Sequence, residues 1–134
     1  MKLELKYLAG YLPYGLKFYV FDKPSFEKKY LEMHPNGNSR VEITIENIKE
    51  KIFKNGYKPI LRPLSDLTNF CEDLGFVPIE ELDDLESDVC SYSLDYYINH
   101  TNRLPFYRVQ KLLEWNFDIH NLIENNLAID INTL

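Results

Sequence analysis

A chain of 134 residues with 45% hydrophobic and 14% aromatic content matches one globular domain over residues 1–134, and its lack of low-complexity tracts excludes a disordered class. A net charge of −6 argues against a dedicated nucleic-acid binder. No run of 18 apolar residues occurs and Glu4 and Lys6 interrupt the N-terminal apolar positions, so a soluble, cytoplasmic protein without a membrane segment is expected.

Leu3, Leu8, Tyr11 and Leu12 recur at helical spacing, which predicts a short helix over 2–11 ended by the Pro13 to Gly15 turn. Leu16 to Phe21 follows as a strand with Leu16, Phe18 and Val20 on one face. Residues 25–33 favour neither state. The turn signal Asn36-Gly37-Asn38 ahead of the alternating Val41 to Ile45 predicts a hairpin around residues 35–38. Ile45, Ile48 and Ile52 then share a helical face that stops at Asn55-Gly56.

Tyr57 to Leu61 reads as extended. Arg62-Pro63 leads into a predicted helix carrying Leu67, Phe70 and Leu74 and ending at Gly75, with Asp66 as a capping residue at its positive end. Phe76 to Ile79 reads as an edge strand or a clamp over the core. Val89 to Tyr97 is a candidate helix with Leu94 and Tyr97 facing inward, and Asn99 to Arg103 a polar loop. Pro105 opens a long C-terminal helix whose apolar stripe, Phe106, Val109, Leu112, Leu113 and Phe117, is expected to be buried. A short helix over 121–127 and an extended end complete an α+β fold, a small, mainly antiparallel sheet backed by helices.

Charge is unevenly distributed. Residues 1–62 carry 12 Lys/Arg against 7 Asp/Glu (net +5), and residues 63–134 carry 3 against 14 (net −11). Glu80, Glu81, Asp83, Asp84, Glu86 and Asp88 lie within nine positions and must remain hydrated, because unpaired carboxylates are costly to bury. Three readings remain open: an ordinary solvated surface, a phosphate-like charge array offered to a basic groove on a partner, and a hard-cation site. In the basic half, Lys49, Lys51, Lys54 and Lys58 are candidate contacts to an RNA backbone, and interleaved Glu42, Glu46 and Glu50 equally fit a salt-laced surface. Tyr92, Tyr96 and Arg103, beside the acidic run, have the composition of a protein interface, although the tyrosines also suit a cover over the core.

Motifs with high chemical specificity are absent: there is no phosphate-binding GxxxxGK[ST], no GxSxG, no HExxH and no Cys/His set at zinc spacing. Cys71 and Cys90 are expected to be free thiols, and acidic neighbours disfavour a Cys71 thiolate. Glu114 and Asp118, four apart, read as an exposed helical pair, and Asp118 and His120 as junction and surface residues. No catalytic residue, metal ligand, cofactor or small-molecule substrate is therefore assigned.

Three blocks, LPFYRVQKLLEWNFDIHNLIENNLAIDINTL (104–134), ILRPLSDL (60–67) and YLPYGLK (11–17), resemble small phage and prophage proteins of Bacteroidetes-type bacteria. The resemblance implies a mobile-element protein acting in the host cell. Its expected form is a non-enzymatic inhibitor of a host defence nuclease, similar to anti-CRISPR proteins that engage an RNA-guided, RNA-targeting effector or its guide RNA. The alternative is a phage structural or replication accessory acting through self-association.

Overall fold

A computed structural model describes residues 2–19, 30–34, 41–42, 57–85 and 92–134. Five short strands form one mixed sheet in the order β3-β2-β1-β4-β5, where β1 is Lys17–Tyr19, β2 Tyr30–His34, β3 Val41–Glu42, β4 Lys58–Leu61 and β5 Ile129–Asp130. The central strand β1 is antiparallel to both neighbours, with Phe18 opposite Leu31 and Pro59. The two outer pairings are parallel, Met33 with Val41 and Ile60 with Ile129. With helices around this sheet the fold is α+β, and the sheet is mixed where a mainly antiparallel one was expected, because β3 and β5 join its edges in parallel.

The expected hairpin residues 35–38 and the helix over 45–54 lie outside the described residues. The strands flanking 35–40 pair in parallel, whereas a two-strand hairpin needs an antiparallel pair.

Four α-helices are described: α1 Leu5–Leu8, α2 Pro78–Leu85, α3 Leu94–Asn99 and α4 Phe106–Glu114. The first is shorter than its apolar spacing suggests. The chain turns at Ala9 and continues as a 3-10 turn, Leu12–Tyr14, which Gly15 ends at φ 70°, a conformation glycine adopts without strain. Helix α3 begins at Ser93, whose hydroxyl accepts the Tyr96 N–H.

The long C-terminal helix is corrected to the nine residues of α4. Asn116 adopts a left-handed φ of 59°, the Phe117 N–H reaches back to the Leu112 carbonyl at 2.8 Å, and the Asn116 N–H to Leu113 at 3.0 Å. This is a Schellman closure with asparagine in the left-handed position, and Leu112 and Phe117 pack in the same buried cluster. The same pattern recurs at Asn126, φ 60°, with Leu127 N–H to Leu122 at 2.8 Å, so the expected helix over 121–127 is a set of turns.

The buried face of α4 also differs from the stripe read from sequence. Arg108 and Leu112, four apart, are the buried residues, and Phe106 is 79% exposed. Phe106 opens the first turn and faces away, whereas Phe117 is buried by the turn that reverses the chain.

The ten-residue helix expected after Pro63 is a 3-10 turn, Leu64–Thr68, and Cys71 to Gly75 then forms a tight turn. Gly75 donates its N–H to the Cys71 carbonyl at 2.7 Å with φ 84°, and Cys71 bridges Phe76. The edge strand or clamp expected over Phe76 to Ile79 is corrected: Phe76 makes an isolated bridge, and Pro78 and Ile79 open α2.

Two apolar clusters fill the interior. One gathers Leu8, Tyr11, Leu16, Phe18, Leu61 and Leu122 around the sheet; the other gathers Leu67, Leu82, Tyr97, Leu104, Leu112 and Phe117 among the helices. Ile119 packs against both.

Candidate functional site

Burial takes charges of both signs out of the surface of the second half of the chain: Asp66, Glu81, Asp83, Asp118 and Asp130 are buried or half-buried, as are Arg108 and Lys111. Arg108 is 1% exposed; its Nη1 donates to Asp83 Oδ1 at 3.0 Å and to the Tyr97 hydroxyl at 2.6 Å, and its guanidinium lies 4.9 Å from the Tyr92 ring. Lys111 is partly buried and pairs with Glu114 at 3.1 Å. Among the described residues of 63–134, Glu72, Asp73, Glu80, Asp95, Glu114 and Glu124 are exposed, and Arg103 is the exposed cation. Six exposed carboxylates thus stand against one exposed cation, and Glu114 among them is paired with Lys111.

The acidic run is therefore only partly a solvated array. Helix α2 carries Glu80 exposed, Glu81 half-buried and Leu82 fully buried, and Asp83 turns inward to Arg108. Asp84 lies in the helix; its side chain and residues Glu86 and Asp88 are outside the described residues. Tyr92 and Tyr96 are half-buried and stacked at 4.9 Å, and Tyr96 contacts the His100 ring at 5.0 Å. Both pack against the second apolar cluster, Tyr92 also lying over Arg108, and Arg103 stands exposed on the adjoining 3-10 turn, Thr101–Arg103. Of the candidate RNA contacts, Lys49, Lys51 and Lys54 fall outside the described residues, and Lys58 Nζ donates to Asn126 Oδ1 at 3.1 Å.

Three further expectations are corrected. Asp66 caps no helix: its Oδ2 accepts from Asn132 Nδ2 at 2.8 Å and its Oδ1 from Asn69 Nδ2 at 3.3 Å, tying the 3-10 turn to the C-terminal segment. Glu114 and Asp118 form no exposed pair, because α4 ends between them. Asp118 is 6% exposed and is no surface residue; its carboxylate accepts backbone N–H groups of His120, Leu122 and Ile123 at 3.3, 2.9 and 2.9 Å. That ring of donors offsets the cost of burying the charge.

Asp66 and Asn132 form walls of an open groove of ≈ 590 Å³ that also includes Arg62, Asn69, Phe70, Cys71, Glu72, Asp73 and Ile131. Arg62 lies at its base, 6% exposed, with Nη2 donating to Asp73 Oδ2 at 2.5 Å. Phe70, 63% exposed, is a large apolar side chain at the rim. The Cys71 thiol is buried, and burial pushes its pKa up; Arg62 opposes that shift while Asp66 and Asp73 add to it. Burial outranks the acidic neighbours as the cause, and the thiol is held protonated. The expected free state of Cys71 is observed, and Cys90 is outside the described residues.

Sequence reading missed this groove, since a helix through Leu67 to Leu74 would have scattered Phe70, Glu72 and Asp73 around its circumference. The signal present was Asn69-Phe70-Cys71-Glu72-Asp73, a polar stretch before Gly75 that suits a turn. No local pattern connects it to Asn132.

The three blocks that carry the resemblance meet in space. The Tyr11 hydroxyl donates to the Phe117 carbonyl at 2.6 Å, Arg62 exchanges backbone hydrogen bonds with Asn116 and Asp118 at 2.8 Å each, and β4 pairs with β5. The residues of these three blocks build the scaffold, and Glu72, Asp73, Glu80 and Asp95 lie outside them. Among the described residues, no group of three His, Cys, Asp or Glu residues is placed to hold a metal ion, and no helix is long and apolar enough to cross a membrane. Comparison of the chain with family models, curated proteins and solved structures returns no match.

Proposed function

We propose that this protein is a non-enzymatic binding protein that inhibits a host defence nuclease by occupying a basic, nucleic-acid-binding surface. The resemblance to phage and prophage proteins suggests an RNA-guided, RNA-targeting CRISPR effector, alone or with its guide RNA, in the host cytoplasm as the partner. The observation that supports this reading is that, among the described residues of 63–134, Glu72, Asp73, Glu80, Asp95, Glu114 and Glu124 are exposed against one exposed cation, Arg103. A surface of that kind is attracted to a groove built for phosphates, accelerates encounter, and competes with the nucleic acid for the same cations.

The test is target-RNA cleavage by a purified effector with its guide, titrated with this protein and with a Glu80→Gln/Asp95→Asn/Glu124→Gln variant. Inhibition that weakens in the variant and at raised salt is expected, together with co-capture of the nuclease before and after RNase treatment. Inhibition indifferent to both changes would reject the electrostatic basis. Self-association without effector binding would favour a phage structural or replication accessory.

A further inference from the structure

We propose that the groove between residues 66–73 and the C-terminal segment is a receptor for an arginine side chain of a basic peptide segment on the partner. This rests on the reading of the protein as a binder of basic surfaces, and it specifies which part of the surface takes the central contact.

Charge gives the first argument. Asp66, Glu72 and Asp73 line the groove together with one cation, Arg62, so its formal balance is −2. Arg62 is 6% exposed and bonded to Asp73, whereas the Asp73 side chain is 58% exposed and presents its free side outward. An incoming cation meets carboxylates before it meets the guanidinium.

Geometry supplies the second argument. Asn69 and Asn132 hold the Asp66 carboxylate from both sides, so one acceptor is fixed before a ligand arrives. Phe70 stands 63% exposed at the rim of the same groove, which no other described feature explains. A planar guanidinium can lie on an aromatic face while its edge donates to carboxylates; an ammonium uses the second contact and less of the first.

The third argument is an unfilled donor. Arg62 Nε is buried and has no hydrogen-bond partner, since Asp73 engages only the neighbouring Nη2. A simple cation offers nothing to an N–H group. A peptide carries main-chain carbonyls, acceptors suited to the Arg62 end of the groove, beside the arginine side chain that suits its carboxylates.

The experiment uses the full ¹⁵N-labelled chain titrated with the peptide acetyl-Gly-Arg-Arg-Gly-amide, its lysine analogue and spermidine. The expected result is saturable shifts centred on the Phe70 amide and the Asn69 and Asn132 side-chain amides, tighter for arginine than for lysine. Phe70→Ala should weaken binding roughly two- to fivefold, as loss of an exposed cation–π contact does. Glu72→Gln should weaken it as well, and Glu4→Gln, outside the groove's lining, should not. Both groove residues are exposed, so their variants should keep the wild-type spectrum elsewhere. Shifts spread evenly over Glu80, Asp95 and Glu124, equal binding of spermidine, or unaltered titration of Phe70→Ala and Glu72→Gln would overturn the proposal. If those variants lose the peptide yet inhibit the nuclease fully, the groove is refuted as the nuclease contact and the acidic-surface reading survives. If the groove binds arginine but no nuclease is inhibited, the receptor stands and the proposed function falls.

Discussion

The Tyr11 hydroxyl donates to the Phe117 carbonyl at 2.6 Å and accepts the Ile119 N–H at 3.1 Å, so one buried side chain fastens the N-terminal turn to the reversal after α4. The two residues are 106 positions apart. Tyr11→Phe keeps the ring and strands a carbonyl and an N–H. A loss of about 1–3 kcal/mol is expected in urea unfolding, the cost of leaving buried polar groups unpaired. A loss under a few tenths would mean that water replaces the hydroxyl.

The same hydroxyl gives an alkaline signature. Burial is the main cause of its pKa being pushed far above the ordinary tyrosine value, with the Asp118 charge adding to it and the Ile119 hydrogen bond opposing. A raised folded pKa contributes stability that is fully present below the unfolded value near 10 and is lost as pH rises beyond it. Melting temperature should therefore fall above pH ~10 in the wild type and fall less in Tyr11→Phe. Equal slopes would reject the assignment.

His120 acts in the opposite pH range. Its ring contacts Tyr7 at 5.3 Å and Tyr11 at 6.4 Å, and burial lowers its pKa while Asp118 partly restores it. Here the unfolded chain binds the proton more readily, so stability falls as pH drops through the unfolded value near 6.5 toward the lowered folded one. His120→Gln should reduce the difference in melting temperature between pH ~5.5 and ~7.5. An unchanged difference would place the transition on other groups.

Asn116 tests how α4 stops. Its left-handed φ of 59° is unfavourable for residues with a Cβ, and its Oδ1 is buried without a hydrogen-bond partner. Asn116→Gly relieves both and should stabilise by about 0.5–1 kcal/mol, whereas Asn116→Ala should cost about 1 kcal/mol. Thermal denaturation of the pair decides it; the reverse order would show that the Asn116 side chain contributes more than the turn geometry.

Arg108→Met examines the buried guanidinium between α2, α3 and α4. Removing it leaves Asp83 without its partner, but that carboxylate is 33% exposed and can hydrate, so the cost should be about 2–3 kcal/mol, below that for a fully buried pair. The fluorescence of the tyrosine stack should change with it. A stabilised variant would identify the ion pair as retained for specificity, since apolar replacements of buried pairs can gain stability.

Short-range physics made much of the fold legible. Alternation marked Leu16 to Tyr19, a Pro63 break bounded the strand at Leu61, and Pro105 marked the start of α4, because these signals depend on the dihedral preferences of a few neighbours. The same reading overshot at Phe117 and Leu74. In each case an apolar residue at helical spacing lies in a turn, Phe117 buried and Leu74 half-buried, and periodicity reports that a residue is apolar without reporting how the chain brings it inside.

The sequence by itself determined the α+β class and the segregation of charge, since each follows from residue types and their local order. Tertiary structure decided which charges face water. No local pattern places Arg62 and Arg108 inside, where Asp73 pairs with the one and Asp83 and Tyr97 with the other, and Asp118 reads as exposed until backbone N–H groups surround it. It also decided the groove, where Asp66 meets Asn132 across 66 positions. Burying a charge is favourable only when donors and acceptors from distant segments converge on it, and that convergence is a property of the packed chain.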